Sequence, residues 1–332
     1  MTKPSLNPEW RAFLARNHTV SHDDDQRNAA FFSSTDGSLL AAHVSSVDTR
    51  VPARDDHQIP IRIYAPKEDQ SSDRIVIFYH SGGFVEGNVD TEDISCRYMV
   101  MGSRSTVISV NYRLSPTYAY PVPMNDAWDA FEYVVRNLSI IVPKHIPPVR
   151  LVIAGTSSGG QLAAIVSQRA RDWLQDPRTA TVAANIILSG VLLRAPVTVR
   201  STDRAFIPPA FRELHGSWAE KLETNLDRLG MAENHDLLGV PIAKRIQPDA
   251  YPLWGRFGGL PKTYIQICEV DILRDDAVCY AQGLRSAGVE VRLSMYESLP
   301  HIFWVYAPQL EVSRRAQEDC VNGLEWLLSS VE

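Results

Sequence analysis

From residue 59 onward, short runs rich in Val, Ile, Leu and Tyr alternate with longer stretches whose apolar residues recur every three or four positions. A chain of βα units of this kind buries both faces of a sheet under helices, which fixes an α/β class with a largely parallel sheet. Strands are predicted over 39–50, 59–65, 74–80, 105–112, 150–154, 184–191, 263–270 and 290–296. That gives eight. The first two are joined by the polar connection Pro52-Ala53-Arg54-Asp55-Asp56, so the sheet is expected to open with an antiparallel hairpin. Helices are predicted over 122–138, 158–173, 275–287 and 308–328; the last carries Leu310, Ala316, Cys320, Leu324 and Leu327 along one face.

Two segments break this rhythm. Residues 1–35 look helical and end near Asp23-Asp24-Asp25, while residues 195–258 carry Phe206, Phe211, Trp218, Tyr251, Trp254 and Phe257 among several prolines. The second is inserted at the carboxyl edge of the parallel strands, where open α/β sheets bind ligands. We read 1–35 and 195–258 as two parts of a helical cap, over a core formed by 36–194 and 259–332.

Composition removes several function classes. Across the 332 residues, 33 basic against 39 acidic side chains give a net charge of −6, with no basic arm of the kind that neutralises phosphates. Nucleic acid is not an expected partner. No apolar run is long enough to span a bilayer, so no membrane span is expected. The segment Met1–Ser5 does not open a secretory signal, and Ser330–Glu332 matches no retention or peroxisomal signal. Cys96, Cys268, Cys279 and Cys320 lie far apart with no CxxC pair, so reduced, mostly buried thiols and a cytoplasmic location are expected.

The chemistry begins where the fifth strand ends. Leu151-Val152-Ile153-Ala154 runs into Gly155-Thr156-Ser157-Ser158-Gly159-Gly160 and then a helix, which is G-x-S-x-G at a strand-to-helix turn. Such a turn holds the serine in a strained conformation with its hydroxyl exposed, and side chains two positions either side would collide. Glycine at 155 and 159 removes them. A serine hydroxyl is a weak nucleophile and needs a base, and the base needs an orienting carboxylate; at this kind of turn both follow in the order acid, then histidine. Asp271 stands directly after the seventh strand, and His301 lies in the loop after the eighth. Asp275 and Asp276 are better placed to cap the helix that follows. The other eight histidines have no such position.

An acyl-transfer intermediate also carries an oxyanion that needs waiting backbone donors. The third strand ends at His80 and is followed by Ser81-Gly82-Gly83-Phe84, where consecutive glycines let amides approach a substrate. Gly82 and Gly83 are assigned as donors, joined by the amide of Ser158. No cofactor and no metal is needed for this chemistry.

Together these residues resemble the hormone-sensitive-lipase-like branch of the α/β-hydrolase fold over roughly half of the chain. His80-Ser81-Gly82-Gly83-Phe84 is similar to that family's HGGG loop, Asn111-Tyr112-Arg113-Leu114-Ser115-Pro116 to its DYRLAP segment, residues 155–160 to its GDSAGG elbow, and Asp271-Ile272-Leu273-Arg274-Asp275 to its DPLRD loop. The resemblance implies an eight-stranded sheet under a helical cap and a carboxylesterase acting on small-molecule esters without a cofactor. Fungal esterases of secondary metabolism, of the versiconal hemiacetal acetate type, look similar too. At the glycine loop and the elbow this chain departs from the pattern, with Ser81 for a glycine, Thr156 for the elbow Asp, and Ser158 for Ala. The main expectation is a serine hydrolase cleaving esters of small to medium hydrophobic substrates through an acyl-enzyme on Ser157. Elimination, cyclisation or acyl transfer at the same site is the alternative. A silent receptor on this fold would lack the histidine, and His301 is present. Strand eight is expected at a sheet edge, where a second copy could pair to form a homodimer.

Overall fold

The computed structural model describes residues 6–17, 23–68, 71–220, 222 and 225–329. Met1–Ser5 and Ser330–Glu332, read above for targeting signals, lie outside them, as does part of the 1–35 segment.

Eight strands form one sheet: β1 (Val44–Pro52), β2 (Gln58–Pro66), β3 (Ser72–Tyr79), β4 (Thr106–Val110), β5 (His145–Thr156), β6 (Ile186–Arg194), β7 (Thr263–Val270) and β8 (Val291–Pro300). Their order is β1-β2-β4-β3-β5-β6-β7-β8, so β1 and β8 are the edges. The β1–β2 hairpin is antiparallel, as is β2 against β4, and every other pairing is parallel. The α/β class with a mostly parallel sheet is what the alternation predicted.

The helices are α1 (Pro8–Asn17), α2 (Asp24–Phe32), α3 (Thr35–His43), α4 (Asp93–Ser103), α5 (Val122–Arg136), α6 (Leu138–Ile141), α7 (Ser158–Leu174), α8 (Ala180–Ala183), α9 (Arg228–Leu238), α10 (Arg274–Ser286), α11 (Phe303–Tyr306) and α12 (Glu311–Leu328). Successive strand residues point to opposite faces, and β3 shows how both become core. Ile75, Ile77 and Tyr79 belong to the buried cluster that holds residues of α5, α7 and α10, whereas Val76 and Phe78 belong to the one that holds Met99 and Val100 of α4 and Leu324 and Leu327 of α12. All four cysteines are free and buried.

Two local expectations are corrected. The first strand begins at Val44 rather than Leu39, because Ser34 caps α3 by accepting from the Gly37 amide and Leu40 is buried beside Phe31 and Ile94. Most β1 side chains are exposed, so alternation there was too weak to mark its start. The second is α4, which was not predicted. Since β3 and β4 are parallel neighbours, their connection must cross over, and α4 is that crossover.

This topology positions the loops that matter. β3 and β5 are adjacent with Tyr79 opposite Gly155, so the segments after both strands emerge side by side. β7 and β8 are adjacent with Val270 opposite Pro300, which makes Asp271 and His301 the next residues on neighbouring strands. A register shift between Cys268 and Val270 lets β8 carry His301 to that position.

Candidate active site

Ser157 sits at the junction of β5 and α7 with φ 55° and ψ −117°, a backbone state that side chains rarely adopt. It is held from both sides. Its amide donates to the Arg194 carbonyl at 2.8 Å, and its carbonyl accepts from Gln161 at 3.1 Å and Val197 at 3.2 Å. A Cβ on Gly155 would run into the Gly159 carbonyl, and one on Gly159 into the carbonyls of Tyr79 and His80. Both glycines are therefore required by backbone packed against backbone.

The imidazole of His301 lies between the other two side chains. Its Nε2 is 3.0 Å from Ser157 Oγ and its Nδ1 is 2.6 Å from Asp271 Oδ2. An ionised carboxylate only accepts, so Nδ1 carries the proton and Nε2 presents its lone pair to the serine hydroxyl. Asp271 Oδ1 accepts from the Leu273 amide at 2.9 Å, which fixes the carboxylate. Ser157, Asp271 and His301 are 6%, 1% and 3% exposed, so the relay is shielded from bulk water. Ser298 and Ile302, with φ of 61° and 40°, bend the loop around His301.

The glycine loop lies beside this row. Gly82 and Gly83 adopt φ of 123° and 61°, and the amides of Val85 and Glu86 both close back onto the Gly82 carbonyl at 3.0 Å. Among the described residues, the amides of Gly82, Gly83 and Ser158 meet no acceptor. The first residue of the loop is fixed from below: His80 Nδ1 donates to the Ser81 carbonyl at 2.7 Å, its ring stacks on Tyr112 at 4.3 Å, and Tyr112 donates to the His80 carbonyl at 2.8 Å. Burial pushes the His80 imidazole down to about 4, so it stays neutral near neutrality.

The two off-rhythm segments meet these loops. Asn225 Nδ2 donates to the His301 carbonyl at 2.9 Å, and the Asn234 side chain of α9 lies where a Cβ on Gly83 would stand. On the other side, a cavity of about 300 Å³ runs between α2 and the glycine loop, lined by Asp24, Arg27, Gly82, Glu86, Ile302 and Tyr306 among others. Among the described residues no group of three or more His, Cys, Asp or Glu is placed to hold a metal ion. Nor is any described helix long and apolar enough to cross a membrane.

The helix capping expected of Asp275 and Asp276 is corrected: no side chain caps the start of α10, and both carboxylates turn instead to the 195–217 chain. Asp275 Oδ2 accepts from the amides of Gly216 and Ser217 at 2.7 and 2.6 Å. Asp276 Oδ2 accepts from Thr198 and Val199 at 2.7 and 3.0 Å, while its Oδ1 meets Ser201 Oγ at 2.7 Å and His215 Nε2 at 2.8 Å. The start of α10 thereby ties the 195–217 chain to the strand end that carries Asp271. Burial draws the His215 imidazole down, but the hydrogen bond and charge of Asp276 outweigh it and leave it above its ordinary value. These anchors were not legible, because their partners are backbone amides in an irregular segment.

A model of the α/β hydrolase fold family matches residues 76–305. A hydrolase-superfamily protein of Schizosaccharomyces pombe is 31% identical over 88% of this chain and 83% of its own. A carboxylesterase of Mycobacterium tuberculosis is 32% identical over 73% of this chain and 70% of its own, and the versiconal hemiacetal acetate esterase of Dothistroma septosporum is 26% identical over 98% and 94%. Among solved structures, vibralactone cyclase superposes with a TM-score of 0.82 at 23% identity, covering 99% of this chain and 96% of that one, a likeness of fold alone. An esterase of Pyrobaculum calidifontis follows with a TM-score of 0.76 at 26% identity, covering 98% and 100%. With a family model spanning more than half of its length and relatives above 30% identity, the chain belongs to the α/β-hydrolase family.

Proposed function

We propose that this α/β hydrolase is a carboxylic ester hydrolase working through an acyl-enzyme on Ser157. His301 Nε2 takes the hydroxyl proton as Ser157 Oγ attacks the ester carbonyl, then delivers it to the leaving alkoxide. Asp271 holds the imidazole in the Nδ1–H tautomer and stabilises the imidazolium. The amides of Gly82, Gly83 and Ser158 receive the oxyanion. Water, deprotonated by the same imidazole, attacks the acyl carbonyl and releases the acid with Ser157 restored. The observation that carries this reading is the continuous pair of contacts from Asp271 through His301 to Ser157, at 2.6 and 3.0 Å.

Residues 1–35 and 195–258 act in this reading as a cap around the core of 36–194 and 259–332. Support comes from the contacts of Asn225 and Asn234 with the His301 and Gly83 loops, and from α2 walling the cavity at Gly82. The cavity of about 300 Å³ is lined by Gly82 and by Ile302, the residue after His301, and not by Ser157 or His301 themselves, so it lies beside the relay. Its wall is mainly polar, with Ile302, Val305 and Tyr306 standing among Asp23, Asp24, Asp25, Arg27, Glu86, Asn88 and Thr91.

The test is a panel of p-nitrophenyl esters from acetate to palmitate, run with wild type and Ser157→Ala. Wild type is expected to favour short chains, and the variant to lose on the order of 10⁴ to 10⁶ in kcat. Activity retained by Ser157→Ala would overturn the nucleophile assignment.

A further inference from the structure

A buried carboxylate and a buried guanidinium lie beneath the site, and no step of the reaction uses either. Glu92 stands just before α4 and is 3% exposed. Its Oε1 accepts from the Ser81 amide at 3.1 Å, and its Oε2 accepts from Thr156 Oγ1 at 2.7 Å. Ser81 directly precedes Gly82 and Gly83, and Thr156 directly precedes Ser157 and Ser158. One side chain therefore joins the two segments that supply all three amides assigned to the oxyanion.

Arg194, at the end of β6, completes the arrangement. Its side chain is fully buried, with Nε donating to Gln266 at 2.6 Å and Nη2 to Gln317 at 3.1 Å. The remaining nitrogen, Nη1, has no hydrogen-bond partner among the described residues and stands 3.7 Å from Glu92 Oε2. Its carbonyl accepts the Ser157 amide, and its guanidinium lies over the Trp304 ring at 4.6 Å, three residues beyond His301. The pair thus reaches the glycine loop, the serine turn and the histidine loop at once.

Burying two charges is costly, and an apolar pair of similar volume is often as stable, so stability alone gives weak reason for them to be here. What an ion pair with directed hydrogen bonds supplies and an apolar pair does not is a fixed geometry for the groups bonded to it. We propose that Glu92, backed by Arg194, is a positioning residue that sets the spacing between the Gly82-Gly83 amides and the Ser157-Ser158 turn, and so acts on the transition state. The proposal rests on the reading of Ser157 as nucleophile. Burial raises the Glu92 carboxyl above its ordinary range, and what draws it back toward the charged form is Arg194 together with the Thr156 hydroxyl and the Ser81 amide.

Two gentle substitutions test this. Thr156→Val removes one arm of the clasp and leaves the ion pair intact; Glu92→Gln keeps the size and removes the charge. Each is measured for kcat and KM on the best p-nitrophenyl ester, for inhibition by a trifluoromethyl ketone that forms a tetrahedral adduct, and for thermal unfolding. Misplaced donors are expected to lower kcat about tenfold to a hundredfold. KM is expected to stay within about twofold, since the loss falls on the transition state. The ketone weakens in step with kcat, and Thr156→Ser, which restores the hydroxyl, recovers most of the loss. Wild-type kcat in Thr156→Val and Glu92→Gln, or losses confined to KM, would overturn the proposal while Ser157→Ala remains inactive. An active Ser157→Ala would instead remove the reading beneath it. Should Glu92→Gln fail to fold, Thr156→Val decides alone.

Discussion

Replacing Asp271 by Asn changes one atom and inverts one hydrogen bond. In the native site Oδ2 accepts from His301 Nδ1 at 2.6 Å while Oδ1 accepts from Leu273 at 2.9 Å. An asparagine keeps its oxygen on the Leu273 amide, which turns its NH₂ group toward the imidazole. Nδ1 must then accept, so the ring proton moves to Nε2 and points at Ser157 Oγ, 3.0 Å away. The base has lost its lone pair without leaving its place. A tautomer error of this kind costs about 10⁴ in kcat, or roughly 5.5 kcal/mol in the barrier. The assay is the initial rate of p-nitrophenyl acetate hydrolysis near neutrality, with the melting temperature followed in parallel. Since both hydrogen-bond positions remain filled, unfolding is expected to shift little. A folded Asp271→Asn variant that loses less than about tenfold would refute the reasoning, because the imidazole would then not depend on this carboxylate for its orientation.

Other outcomes follow from the surrounding packing. Gly159→Ala puts a methyl group against the carbonyls of Tyr79 and His80, backbone that cannot rotate away, and is expected to cost about 3 kcal/mol by urea denaturation; a change under about 0.5 kcal/mol would contradict it. Asp276→Ala leaves His215, Ser201 and two amides without their acceptor and is expected to cost about 3 to 5 kcal/mol, with proteolysis beginning in the 195–217 chain. The raised His215 value sets a pH dependence: its contribution is full below the unfolded value of about 6.5 and is lost as pH rises through the folded one, so His215→Gln flattens the alkaline fall in melting temperature. His80 and His235, both pushed down to about 4 by burial, act oppositely. The unfolded chain takes up protons that these two refuse, so stability falls between about pH 6.5 and 4, and a urea midpoint flat across that window would contradict their burial as neutral rings.

The parts of the molecule that the sequence made readable are those whose requirement is local. The turn at Ser157 needs glycine two positions either side because backbone presses on backbone there, and that need is written in five consecutive residues. Asp271 was readable as a candidate because the apolar run of β7 ends at Val270, and His301 because the order acid then histidine follows from the turn, although β8 runs on to Pro300 where the apolar run suggested an end at 296. The start of β1 and the helix α4 were harder. Leu39–His43 serves as well for a strand as for a helix until Ser34 and the contact of Leu40 with Ile94 are known. Glu92 was out of reach altogether: its partner Thr156 is 64 residues away, and a lone glutamate in a polar loop gives no sign of being buried.

A covalent link between substrate and Ser157 is the central step, and rapid acid quench during turnover of a p-nitrophenyl ester, followed by intact and peptide mass spectrometry, reads it directly. One added acyl group per chain is expected, on the peptide containing Ser157, absent from Ser157→Ala and persistent in a variant whose deacylation is slowed. Steady turnover with no acylated species even under conditions that trap the intermediate, or an acyl group on another residue that keeps pace with turnover, would contradict it.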